Sequence, residues 1–432
     1  MANQKNTSSM FKIGVVIAVI LTGVATFFIL HKPKVDDKSA LQVVKFGMLA
    51  YGDHTQAIIG VKNGWFKDVG IDLKYEVINI DAVVPSLNTK RFDVVSTPPG
   101  VLLSAYDNAS DLCSFVLADV FQGYAIMAQP GSNYKTYDDF IKSGLSNQDA
   151  IKATVQQLKG KTFAYPSETA IKPFIDILLQ KAEMTRKDFK SLVQDDPVNV
   201  NSMRAKQADF QVGGVPSRIT LQKEGFIPLI SSIDIVKSAQ PSPDSKELAS
   251  VFQDGWAVRK DYYESNMPTI LRLASVNFRI TQYMNDHQDS ALAIHMPYLT
   301  QVTGSKYTVE DGKIIYNYLD PFYTFQNQHD WFHNSQSPLY YKNLYGSIIN
   351  SFKDQGLYKG KVPHVDDIIY ADDVYLKLEQ LKTKTEENLT AISSKNLATT
   401  GDLKTQLEKA KNFYSIYDYF DSEKITTELL KN

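Results

Sequence analysis

The chain has very little cysteine: Cys113 is alone among 432 residues. An intrachain disulfide is therefore impossible, and a multi-cysteine zinc or iron–sulfur site is excluded. Cys113 lies in the apolar run 112–118, the setting of a buried structural thiol. There is no surplus of positive charge. The formal net charge is −2, which argues against nucleic acid as a partner. Catalytic signatures are also missing. The sequence has no G-x-S-x-G elbow, no Walker sequence and no G-x-G-x-x-G. His329 and His333 stand one helical turn apart, but their segment lacks the glutamate of an H-E-x-x-H zinc motif, so no metal site is expected. No cofactor is expected either.

What is present is an ordinary globular balance, 43% hydrophobic and 22% charged, with 24 tyrosines. Tyrosine joins an apolar body to a polar tip and suits cores and ligand clefts alike. Residues 13–30 form one uncharged, mostly apolar run flanked by Lys5, Lys12, His31, Lys32 and Lys34. A helix spanning the hydrocarbon core needs roughly 17–25 such residues. The reading is an uncleaved N-terminal anchor. A signal peptide cut near Gly23-Val24-Ala25 would leave Phe27, Phe28, Ile29 and Leu30 on a new terminus.

From Val43 the chain alternates short β-like runs with amphipathic stretches. Strands are expected at 43–49, 71–80 and 92–96, and helices at 55–64, 82–89 and 101–107. Pro98-Pro99-Gly100 opens the third helix, where proline is favourable. The pattern restarts at Leu158, with strands at 162–165 and 210–213. Repeated β-loop-α units imply parallel α/β sheets. Beyond Asp372 only helices are expected, near 374–389 and 402–419.

Several segments together resemble the nitrate/sulfonate/taurine type of ABC-transporter substrate-binding proteins, relatives of the thiamin-pyrimidine-precursor binding proteins. They are Asn63-Gly64-Trp65-Phe66 running to Gly70-Ile71-Asp72, the helix-to-strand stretch 87–96, Leu158-Lys159-Gly160-Lys161 with Tyr165-Pro166-Ser167, Gln207-Ala208-Asp209, and 254–263. Residues 131–157 and the tail after Tyr370 depart from that pattern. The resemblance implies a two-lobed α/β fold of the periplasmic-binding-protein type II, to which the apolar run 13–30 adds an anchor and the strand-free tail a helical extension. The boundaries it suggests are 1–40 for the tail, anchor and spacer, 41–123 with 257–370 for a discontinuous first lobe, 126–254 for the second, and 371–432 for the extension. It implies an extracytoplasmic, membrane-anchored monomer that captures a small molecule and hands it to an ABC permease, with no chemistry done on it. The alternative is a scaffold of the same fold that has lost its ligand. A thiamin-pyrimidine synthase would need a cysteine-rich motif absent here.

In open α/β sheets, ligands meet the loops that leave the strand ends for helices. The candidate binding residues are therefore Tyr51, Asp53 and His54; Thr97 and Pro98; Ser167, Glu168 and Thr169; and Gly214, Pro216 and Ser217. Tyr124 and Trp256, near the expected crossings between lobes, complete the set. Asp53 and Thr97 are also candidate helix caps. Arginine is scarce in these loops while Asp53 and Glu168 are present. That suits a neutral or partly cationic ligand better than a sulfonate held by paired arginines.

Overall fold

A computed structural model describes residues 41–166, 171–239 and 245–431. Among these residues, ten strands form two five-stranded sheets. The first contains β1 (Gln42–Leu49), β2 (Ile71–Ile78), β3 (Val94–Thr97), β4 (Leu112–Leu117) and β10 (Gly255–Arg259), in the order β2-β1-β3-β10-β4. The second contains β5 (Ala125–Ala128), β6 (Thr162–Tyr165), β7 (Lys190–Val193), β8 (Phe210–Gln211) and β9 (Ile227–Ser231), in the order β7-β6-β8-β5-β9.

The sheets are mixed, not parallel as expected. β1 runs parallel to β2 and β3, and β6 parallel to β7 and β8. β10 lies antiparallel between β3 and β4, and β5 antiparallel between β8 and β9. The reason is connectivity: in each sheet the fourth strand comes from a chain segment crossing between the sheets. Hydrophobic patterning records burial, not strand direction. β3 and β4 are buried along their whole length, as strands covered on both faces require.

The two crossings pair with each other. Phe121 and Phe252 exchange backbone hydrogen bonds of 2.7 and 3.0 Å, and Ala118 N donates to Asp254 O at 2.8 Å. A third extended segment joins them, since Val120 N donates to Pro321 O and Gln122 N to Leu319 O. The resemblance segment near Gly64 has a plain local cause. Gly64 adopts φ 78° as it ends helix Ala57–Asn63 and starts Trp65–Asp68, a left-handed geometry that favours glycine.

Beyond Tyr370 there are three helices where two were expected: Ala371–Ser394, Gly401–Ser415 and Tyr419–Leu429. Tyr417, at φ 67°, breaks the chain direction before the last of them. The first and last of these helices pack on the first-sheet unit. Arg272 of helix Met267–Asp286 grips Asp421 through two hydrogen bonds of 2.7 and 2.8 Å, and Tyr375 donates to Phe325 O at 2.9 Å. No helix among the described residues is long and apolar enough to cross a membrane. The apolar run 13–30 lies outside the described residues.

Candidate functional site

The loop after β1 is locked from behind. The Thr55 hydroxyl donates to Tyr51 O at 2.8 Å, so it must accept the proton of His295 Nε2, also 2.8 Å away. His295 Nδ1 is then the acceptor facing the Tyr316 hydroxyl at 3.3 Å. This chain needs a neutral imidazole, and burial pushes His295 down to about 3. Gly52 fits because a Cβ there would stand 2.6 Å from the Tyr316 oxygen.

The loop after β3 is set by the Ser96 hydroxyl, which accepts from Leu49 N at 3.1 Å, and by Pro99 opening helix Pro99–Ser104. Neither Asp53 nor Thr97 caps a helix. The residues at those positions are Gln56 and Pro98, without side-chain capping bonds. In the second-sheet unit, Asp196 Oδ2 accepts from Gly214 N at 2.7 Å and so fixes the turn after β8. Burial pushes the Asp196 carboxyl up to about 6 despite that bond.

These loops meet at a pocket of about 50 Å³ beside the paired crossings. Tyr51, Gly52, Asp53, His54 and Pro98 line it from the first-sheet loops. Gly214, Val215 and Pro216 line it from the second-sheet unit, and Phe121, Tyr124, Phe252 and Asp254 from the crossings. Ile80, Leu299, Ile315 and Asp320 close it. Three sequence candidates stand elsewhere. Thr97 is fully buried, its hydroxyl turned to Pro98 O. Ser217 turns to Asp196. Trp256 is a core residue, its ring 5.1 Å from Phe46 and flanked by Phe66 and Phe115, because its side of β10 faces the helices instead of the crossing. Ser167, Glu168 and Thr169 lie outside the described residues.

Sequence reasoning named Asp53 and His54 but missed Asp119, Asp254 and Asp320. All five are buried. Asp119 sits just behind the wall, accepting from Asp254 N at 3.2 Å. Burial and mutual repulsion hold Asp119, Asp254 and Asp320 well above the usual carboxylate range, and no lysine or arginine pulls them back. Burial lowers His54 against the opposing pull of Asp53, so it is neutral. Its Nε2 stands 3.5 Å from Asp53 and 3.7 Å from Asp254, too far for good hydrogen bonds. The one signal for Asp119 was a lone charge inside the apolar run 115–121.

Among the described residues, two trios bring ligand atoms within 4.8 Å of one another and could hold a metal: Asp53, His54 and Asp254 in the pocket, and His329, His333 and Glu379 on the surface. Glu379 supplies from a distant helix the carboxylate that the His329–His333 segment lacks, 2.6 Å from His333 Nε2.

No protein-family model matches the sequence, and no curated protein matches it. Solved structures do match. A putative periplasmic sulfonate-binding protein from Methylobacillus flagellatus is 15% identical, covering 80% of this chain and 96% of that one, with TM-score 0.56. The chain has a periplasmic-binding-protein-like fold. The periplasmic nitrate-binding protein from Synechocystis is also 15% identical, covering 78% and 88%, with TM-score 0.51. A desulfurization enzyme, DszB, is 10% identical over 78% of this chain and 99% of its own, with TM-score 0.51. The fold thus serves binding proteins and at least one enzyme.

Proposed function

We propose that the protein is an extracytoplasmic solute-binding protein, tethered to the membrane by residues 13–30, that captures a small molecule between two lobes and delivers it to an ABC permease. The two lobes would be the two sheet units, with the extension after Tyr370 docked on the first. One observation carries this reading: a single pocket is lined at once by loops of both sheet units and by the paired crossings. A solute held there touches both sides, so its differential contacts favour the closed arrangement over the open one. The periplasmic sulfonate- and nitrate-binding proteins of the same fold support this reading.

Binding is favoured over catalysis because no serine, threonine, cysteine or lysine lines the pocket among the described residues. The sole thiol, Cys113, is buried in β4, and burial drives it far above its usual range. The test is native mass spectrometry of the full chain purified gently from its own cells. One equivalent of a releasable small molecule is expected, and adding it back should raise the melting temperature. A chain that arrives empty and gains no stability from any solute pool would instead be a scaffold.

A further inference from the structure

Resting on the reading of this pocket as a solute site, we propose that its ligand is a small organic cation bearing an N–H ammonium group, seated on Asp53, Asp254 and Asp320 with its apolar body against Tyr51, Phe121, Tyr124 and Phe252. Charge is the first argument. Four carboxyl groups converge here, and among the described residues no lysine or arginine lines the pocket. Arg218, a buried guanidinium on the second-sheet side, is not among the lining residues; it donates Nη1 to Gly123 O and feels the charge of Asp234, while its Nε has no partner. An anionic solute would therefore meet acidic groups and no cationic side chain among the lining residues.

Unpartnered atoms are the second argument, independent of the first. Asp254 Oδ1, Asp320 Oδ1 and His54 Nδ1 are buried and make no hydrogen bond. Buried polar groups are ordinarily paired, so such a set marks a place where a ligand completes the bonding. The two carboxylate oxygens need N–H or O–H donors facing them. A quaternary ammonium has none, whereas a primary or secondary ammonium carries donors and the complementary charge.

The walls are the third. Phe121 and Tyr124 meet edge to face at 4.8 Å, and Tyr124 and Phe252 do so at 5.8 Å, with Pro98, Pro216, Val215, Ile80, Leu299 and Ile315 around them. Aromatic faces attract a desolvated cation and shelter an alkyl or aryl body. A hydrated divalent ion gains nothing from that lining, since it wants a shell of oxygen ligands.

Calorimetry on the full chain in detergent tests this with matched probes: 2-phenylethylammonium and n-butylammonium, the uncharged 2-phenylethanol, 3-phenylpropionate, butanesulfonate, nitrate and zinc ion. An ammonium probe should bind, the uncharged and anionic probes at least tenfold more weakly. Asp254→Asn and Asp320→Asn should each weaken the ammonium at least tenfold, while Glu310→Gln on the surface leaves it unchanged. Two substitutions are specified so that a misfolded variant, recognised by its melting curve, does not remove the test. If a sulfonate, nitrate or the uncharged alcohol binds and both ammonium probes are silent, the charge assignment is overturned while solute capture stands. Zinc binding lost in Asp254→Asn, with the ammonium probes silent, overturns it in favour of a metal. Silence from every probe, together with no co-purifying molecule, overturns solute capture itself.

Discussion

Asp254→Asn should make the empty protein more stable at neutral pH. The ligand atoms of Asp53, His54 and Asp254 lie within 4.8 Å of one another, and Asp119 and Asp320 add charge from the neighbouring segments. Two unit charges at that separation repel by about 3.5 kcal/mol at an effective dielectric of about 20. Proton uptake already relieves part of this, leaving about 1–2 kcal/mol for the amide to recover. For a chain of 432 residues that corresponds to roughly 1–2 °C in melting temperature. The pH dependence has a definite sign. A carboxyl whose native pKa is raised favours folding below its unfolded value, about 3.9, and loses that contribution as pH rises through the native value. The variant and the parent should therefore melt together near pH 4 and diverge as pH increases. Thermal denaturation of ligand-free protein at several pH values reads this directly. A variant less stable than the parent at neutral pH, or an offset that does not change with pH, would refute the crowding of carboxylates. Tyr345, which donates to Gln253 O at 3.2 Å beside this residue, should stay in place in either case.

Gly213→Ala should loosen the second-sheet side of the pocket, because its Cβ would fall 1.8 Å from Asp196 Oδ1 and 2.4 Å from Gln211 Nε2. Overpacking of this kind costs about 1–3 kcal/mol, measurable by urea denaturation, and calorimetry should show weaker ligand binding. Asp196 itself, raised to about 6 by burial, should contribute a fall in stability between about pH 4 and pH 6, on the order of 3 kcal/mol. Asp196→Asn should flatten that portion of the profile; an unchanged slope would show that the carboxyl titrates normally. A chain beginning at Leu41 should remain in the soluble fraction after cell disruption and bind as the full chain does, whereas the full chain should sediment with membranes.

The β-loop-α units of the first hundred residues were legible because local signals agreed there. Alternation marked the strands, Gly64 ended a helix, and Pro99 opened one. The crossings were harder. Phe121 to Gln129 and Gly255 to Val258 read as β-like runs, but their antiparallel placement depends on which chain segment arrives between which strands. The third C-terminal helix is not legible because Tyr417–Tyr419 carries no glycine or proline to mark the corner between two helices. In the site, Tyr51, Asp53, His54, Pro98, Gly214 and Pro216 came from the rule that ligands meet strand-to-helix loops. Asp119, Asp254 and Asp320 follow no such rule. They sit on crossings and on a returning segment far apart in sequence, and only the tertiary fold brings their charges together.

The most direct test of solute capture is a crystal structure of the full chain with the small molecule released from it in native mass spectrometry. Density for that molecule should touch Asp254 and Gly214 at once, bridging the crossings and the second-sheet loop, with a nitrogen facing the carboxylates. Density confined to the surface, or a pocket that stays empty at saturating concentration, would contradict the account.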